Sequence, residues 1–185
     1  MSRYINLPTT LDIKTRRERP ATLEGVVKMS AEGQAIIPVA GDCMEAVGIE
    51  DGGYIAVDFT HYPRPPRTEE GKHVRGDPCL CYASAPGGEH PPAVMCKEYC
   101  GVWMGPMVGT RYDNWKGGDY RMDCAFPATA ILGVIFAAWG RDGRLKWRHN
   151  PAGFPTEPPG APTITGANVV VESARKVRRK EETTE

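Results

Sequence analysis

Short runs of apolar residues, separated by segments rich in glycine, proline and charge, dominate the middle of the chain. Apolar stretches of about four to eight residues bounded by turn residues are typical of β-strands rather than helices. The proline-rich stretch 62–76 and the segment 84–92 are predicted as loops, and 141–144 as a hairpin turn. The same pattern predicts strands at 35–39, 54–58, 78–83, 93–99, 102–108, 130–139 and 145–148.

The character of the sequence changes towards both ends. Residues 1–20 are polar and finish in a charged run closed by a proline, which predicts a flexible N-terminal arm. Residues 151–185 begin as a stretch rich in proline and glycine and end in alternating charges, which predicts a linker and a charged tail. The segment 21–150 between them is predicted to be a single, mainly β domain with few short helical turns.

Charge and hydropathy exclude several classes of protein. The 23 basic and 23 acidic side chains balance, so we do not expect nucleic-acid binding through a broad positive surface. No run approaches the roughly 18 apolar residues of a membrane span, and the N-terminus lacks the apolar segment of a secretory signal. We therefore expect a cytoplasmic protein without membrane contact, whose six cysteines are reduced thiols.

Two closely spaced cysteine pairs, Cys79 with Cys81 and Cys96 with Cys100, raise the question of a zinc site. Structural zinc sites favour pairs with about two intervening residues, and neither pair has that spacing. Buried structural thiols are the better interpretation. We expect neither a metal nor a cofactor.

The segment 41–58 is where the residue types point to chemistry. A glycine turn at Gly41 is followed by a small reactive side chain, Cys43, and by a predicted helical turn at 44–47. A second turn, at 51–53, leads into the strand at 54–58. A nucleophile at the start of such a turn is exposed, and nearby backbone N–H groups can hold a developing oxyanion.

This run resembles the peptidase domain of LexA, UmuD and the phage repressors. The family pattern is Gly-x-Ser-Met, then Gly-Ile, then Asp-Gly-Asp and a strand that ends near an acidic or polar residue. The segment 41–58 aligns with this family pattern without a gap. The positions that match are Met44, Gly48, Ile49, Asp51, Gly52 and Asp58.

The family's general base is a lysine on a later strand, reached after a Gly-Asp turn and a hairpin. Here Gly76 and Asp77 open one strand, and Lys97 stands in the next. Strand alternation places Met95, Lys97 and Tyr99 on one face. An apolar surrounding on that face would lower the pKa of the lysine, as a lysine base requires.

The resemblance implies a domain of short, strongly bent antiparallel strands that form a partly open barrel. It implies that Cys43 is the nucleophile, that Lys97 is the general base and that the backbone N–H groups of Asp42 and Cys43 form the oxyanion hole. The residues that shape the site would be Gly41, Met44, Gly48, Asp51 and Gly52.

The chain departs from the family in three ways. Cysteine replaces the nucleophilic serine; a thiol is more acidic than a hydroxyl, so a Cys–Lys pair is chemically feasible. Only about twenty residues precede the expected domain, too few for a helix-turn-helix, so direct DNA binding is not expected without a partner. The only Ala-Gly or Cys-Gly bond upstream of Cys43 is 40–41, too close to fold back for self-cleavage.

Two functions remain open at this stage. In the first, the domain cleaves a peptide or protein bond through Cys43 and Lys97, without self-cleavage in the family's manner. In the second, it is a catalytically silent module of a phage or stress-response (SOS) transcriptional regulator. That module would serve for dimerisation, with 130–139 as the candidate homodimer surface, or for binding another partner.

Overall fold

The computed structural model describes residues 7–11, 24–25, 30, 32–84, 91–102, 105–109 and 125–159. The fold of this part is mainly β, as predicted, and contains no helix of seven or more residues. None of its helical turns is long or apolar enough to cross a membrane. Two 3-10 turns lie at Glu45–Val47 and Pro151–Gly153.

Nine strands account for about half of the described residues. Three of the predicted strands, 54–58, 78–83 and 145–148, have the predicted bounds. The strands are β1 (Gln34–Pro38), β2 (Tyr54–Asp58), β3 (Arg67–Glu69), β4 (Lys72–Val74), β5 (Pro78–Ala83), β6 (Ala93–Val102), β7 (Pro106–Gly109), β8 (Ala125–Trp139) and β9 (Leu145–Arg148).

Seven of these strands form one antiparallel sheet in the order β1-β2-β8-β5-β6-β7, with β9 paired to β8. Strand β7 also pairs with the beginning of β8, so that β8, β5, β6 and β7 follow one another around a ring. The sheet is therefore partly ring-like, but β1, β2 and β9 lie outside the ring and the whole is not a barrel. This agrees with the predicted bent antiparallel fold.

The predicted loop at 62–76 is wrong in part, because it contains the β3–β4 hairpin. Its two-residue turn has positive φ at both positions, 51° at Glu70 and 75° at Gly71. Such turns match the right-handed twist of the strands that they join. The hairpin is polar, so hydrophobic alternation gave no indication of it.

Strand β8 begins five residues before the predicted 130–139. In its first part Phe126 and Ala128 are buried while Pro127 and Thr129 are exposed. A proline in a short polar alternation is unfavourable evidence for a strand, which is why the pattern did not predict this part.

The described parts of both flanking segments contact the sheet. Trp139 Nε1 donates a hydrogen bond of 3.0 Å to the carbonyl oxygen of Pro8, and Leu7 and Phe154 are buried in the same apolar cluster as Trp139. Residues 7–11 and 151–154 therefore pack against the sheet. The division into an arm, a domain and a tail at residues 20 and 150 stays a prediction.

A buried carboxylate joins β1 to the end of β2. Asp58 has no exposed surface and accepts hydrogen bonds from Gln34 Nε2 at 2.6 Å and from Thr60 N and Oγ1 at 2.8 and 2.7 Å. His61 Nδ1 lies 3.1 Å from the same carboxylate. Burial raises the pKa of Asp58, but the hydrogen bonds together lower it by more. The net pKa therefore lies below that of an ordinary aspartate.

Stability should depend on the ionisation of Asp58. A carboxylate whose pKa is lowered on folding stabilises the protein above its unfolded-state pKa, and this contribution is lost as the pH falls through the folded-state pKa. We expect Asp58→Asn to lower the free energy of unfolding by about 1–3 kcal/mol at neutral pH. Below about pH 4 the wild type should lose stability more steeply than the variant. Urea unfolding at several pH values measures both, and parallel pH curves would contradict this role.

Candidate active site

The turn that carries Cys43 connects β1 to β2 and is fixed at its start by a side chain. Gly41 has a φ of 99°, in the left-handed region that favours glycine. Its N–H donates a hydrogen bond of 2.8 Å to Asp51 Oδ1. The start of the turn that carries Cys43 is thereby tied to the second turn of the motif. The role of Gly41 and Asp51 in shaping a reactive site stays a prediction.

The return of the chain into β2 uses backbone hydrogen bonds. Gly52, with a φ of 74°, donates to the carbonyl oxygen of Val39 at 3.1 Å, and Val39 donates to that of Gly53 at 2.9 Å. These two hydrogen bonds hold the end of the segment before Cys43 against the chain that leads into β2.

Apolar side chains lie below this turn. Met44 is 2% exposed and belongs to a core cluster with Ile49, Val39 and Ile37, against which Cys43 packs. The 3-10 turn that follows Cys43 ends at Gly48, whose φ is 74°. Met44 and Ile49, on the two sides of this turn, are buried and anchor the turn to the core. Cys43 itself is only partly buried, at the surface of the core.

Lys97 approaches Cys43 from the other side. It lies in β6 opposite Cys79 of β5, and its side chain is buried, with 9% exposed. Two residues away on either side, Tyr99 belongs to an apolar cluster and Met95 packs against the same cluster, so both lie on one face, as the predicted alternation requires. Lys97 Nζ lies 3.0 Å from Cys43 Sγ. The structure thus brings together the two side chains that the sequence proposes as base and nucleophile.

The two side chains lie in a cleft of about 110 Å³. Residues 37–41 form one wall and residues 94–97 of β6 the other. Most of its lining is apolar, including Ile37, Val39, Met44, Ile49, Leu80 and Val94. A cleft with one polar pair and apolar walls can hold an uncharged group against the pair and exclude part of the water.

The predicted oxyanion donors are at the entrance of the nucleophile turn. The N–H groups of Asp42 and Cys43 donate no hydrogen bond to any described residue, whereas the Asp42 carbonyl accepts one from Glu45 N at 3.0 Å. Amide groups that have no acceptor among the described residues and lie beside a reactive side chain are the kind of donor that an oxyanion needs. Their role as an oxyanion hole stays a prediction.

Cys79, Cys81 and Cys100 are in different surroundings from Cys43, whereas Cys96 lines the same cleft as Cys43. Cys79 and Cys81 have no exposed surface. Burial raises the pKa of Cys79 well above the ordinary value, and burial together with Glu98 raises the pKa of Cys100 to about 12. Cys79 and Cys100 are therefore protonated and weakly nucleophilic at neutral pH. Cys124 lies outside the described residues. Within the described ranges, no group of three His, Cys, Asp or Glu side chains could hold a metal ion.

One contact of the nucleophile turn was not predicted from the sequence. Trp147, in β9, lies against Gly48, and a Cβ on that glycine would be 3.3 Å from the indole Cδ1 and Nε1 atoms. A lone tryptophan about a hundred residues downstream of the motif carries no local signal of this contact. Its packing here depends on the β8–β9 pairing, which brings the end of the sheet back to the turn.

Comparison of the chain with protein-family models, with curated proteins and with solved structures gives no significant match. The resemblance to the LexA-like peptidases therefore rests on the segment 41–58, on Lys97 and on the contact between Cys43 and Lys97.

Gly48 should be needed both for its backbone conformation and for its small size. We expect Gly48→Ala to lower the free energy of unfolding by about 1–2 kcal/mol, because alanine is strained in the left-handed region. Gly153→Ala is the matched control: nothing lies within 4 Å of its Cβ position and its φ is not left-handed. The control should change stability by no more than about 0.5 kcal/mol. Equal losses of stability in Gly48→Ala and Gly153→Ala, measured by denaturant unfolding, would contradict a specific need for glycine at position 48.

Proposed function

We propose that this domain is a LexA-like peptidase that cleaves a peptide or protein bond through Cys43 and Lys97. The observation that carries the proposal is the 3.0 Å contact between Lys97 Nζ and Cys43 Sγ inside a largely apolar cleft. Two side chains that are fifty-four residues apart in the sequence meet in the pairing that the motif implies. A nucleophile within hydrogen-bond reach of a base is the arrangement that covalent catalysis requires.

The chemistry would proceed in two steps. Lys97 takes the proton of the Cys43 thiol, and the sulfur attacks the substrate carbonyl carbon. The amine side of the cleaved bond then leaves with the proton returned by Lys97, and a thioester on Cys43 remains. In the second step Lys97 takes a proton from water, whose oxygen attacks the thioester. The carboxylic acid is released and the thiol regains its proton.

The surroundings of the pair suit this reaction. Developing negative charge on the carbonyl oxygen would face the N–H groups of Asp42 and Cys43, which have no other acceptor among the described residues. The apolar walls reduce the access of water to the amine and sulfur, which strengthens their electrostatic interaction. A substrate residue next to the cleaved bond would have to be uncharged to enter the cleft.

Cys43 should be the most reactive of the described thiols. We expect iodoacetamide to alkylate Cys43 at least about a hundredfold faster than Cys79 or Cys100, whose raised pKa values keep them protonated. In Lys97→Met the rate at Cys43 should drop roughly tenfold, because the base that takes the proton of the thiol is absent. Peptide mass spectrometry after timed labelling measures each site separately.

Methionine is the matched replacement for Lys97 because it keeps an unbranched chain and removes only the amine. The partner that remains is a thiol, which can stay uncharged, so the substitution leaves no unpaired charge in the cleft. A change in rate without a fall in melting temperature then belongs to the pair itself. Similar labelling rates at all described thiols, or an unchanged rate in Lys97→Met, would count against the proposal.

Peptide cleavage tests the reaction itself. We expect the protein to cleave members of a peptide library derived from a whole-cell digest, with new termini identified by mass spectrometry. Cys43→Ala should reduce cleavage at least about a thousandfold, since it removes the nucleophile. Cys100→Ala is the control, because that thiol lies outside the cleft lining, and it should cleave as the wild type does. Cleavage that persists in Cys43→Ala would exclude Cys43 as the nucleophile.

A further inference from the structure

The carbonyl group at the end of the nucleophile turn has a partner from a distant strand. The 3-10 turn Glu45–Val47 follows Cys43, and its last carbonyl oxygen, that of Val47, accepts a hydrogen bond of 2.5 Å from Trp147 Nε1. Within the turn, the Met44 and Glu45 carbonyls accept from backbone N–H groups. The final carbonyls of a helical turn lack such internal partners. The indole N–H therefore caps the turn.

The indole ring is itself held in place. Trp147 pairs with Ala138 across β8 and β9, and its ring packs against the core cluster below the site. The His149 ring lies 5.3 Å from it at an interplanar angle of 43°, and Phe154 lies 6.3 Å from His149. Aromatic pairs at these separations stabilise one another. The position of the indole N–H is therefore set by the packing of Trp147 and not by the turn that it caps.

A second contact fixes the same stretch just beyond Gly48. Lys146, the neighbour of Trp147 in β9, forms an ion pair of 2.9 Å with Glu50. A hydrogen bond from Lys146 lowers the pKa of Glu50 and keeps it ionised. Strand β9 therefore contacts the chain on both sides of Gly48, and Trp147 is the contact on the side of Cys43.

From these contacts we infer that Trp147 is a positioning residue for the thiol–amine pair. By capping the turn at Val47, its indole N–H sets where Cys43 Sγ lies relative to Lys97 Nζ. This inference rests on the proposed function, since it assigns Trp147 a role in the reactivity of Cys43. It adds a residue outside the 41–58 motif, on a strand that contributes no lining to the cleft.

The test compares two substitutions of the same kind. Trp147→Phe and Trp139→Phe each remove one indole N–H that donates to a backbone carbonyl, that of Val47 in the first case and that of Pro8 in the second. Trp139 is fully buried in a different apolar cluster. We expect alkylation of Cys43 by iodoacetamide to slow about fivefold in Trp147→Phe and to stay within about twofold of wild type in Trp139→Phe.

A double variant separates positioning from a general loss of stability. If Trp147 acts by placing Cys43 beside Lys97, Trp147→Phe should have no further effect on the alkylation rate in a Lys97→Met background. Equal additional slowing in both backgrounds would overturn the inference. So would a wild-type rate in Trp147→Phe while Lys97→Met is slow. An unchanged rate in Lys97→Met alone would instead remove the proposed function.

A ring of the same shape keeps the test valid if Trp147→Phe does not fold. Replacement of Trp147 by 3-benzothienylalanine through nonsense suppression exchanges the N–H for sulfur and preserves packing. We expect the alkylation rate at Cys43 to fall as in Trp147→Phe. A wild-type rate in this protein would overturn the inference, because only the hydrogen bond to Val47 has been removed.

Discussion

Strand β8 (Ala125–Trp139) is the element on which the rest of the structure depends. It is hydrogen-bonded to β2, β5, β7 and β9, so both halves of the site are attached to it. Through β2 it places β1 and the Cys43 turn, and through β5 it places β6 with Lys97. Glycine is required beside the end of β2, because a Cβ at Gly133 would lie 2.4 Å from the Asp58 carbonyl oxygen. The apolar run from Val134 to Trp139 is wholly buried and provides the driving force for this arrangement.

The contact between Cys43 and Lys97 is energetically demanding. Lys97 is 9% exposed, and a buried amine needs polar partners in place of the water that it loses. The Cys43 thiol, 3.0 Å from Lys97 Nζ, is one such partner. The rigid surroundings matter for the same reason. A pair whose two members came from mobile segments would separate, and each would return to water.

Part of this site could be predicted from the sequence because its determinants are local. The turns at Gly41, Gly48 and Gly52 require positive φ, and glycine at fixed spacing signals that requirement. Alternation along β6 likewise predicts Lys97 on the face of Met95 and Tyr99, and Lys97 Nζ lies 6.0 Å from the centre of the Phe126 ring, which belongs to the same apolar cluster. Strands β2, β5 and β9 were predicted with their observed bounds because apolar residues and turn residues delimit them clearly.

What could not be predicted depends on contacts between distant segments or on polar elements. The β3–β4 hairpin has no apolar face, and the start of β8 includes a proline, so periodicity gives no sign of either. The docking of residues 7–11 depends on Leu7 meeting the cluster around Trp139. The cap of Trp147 on Val47 joins residues a hundred positions apart. A motif can specify which groups react, but the tertiary fold decides how closely they are held. In this protein that second requirement is met by β9 and β8, outside the segment that first indicated the chemistry.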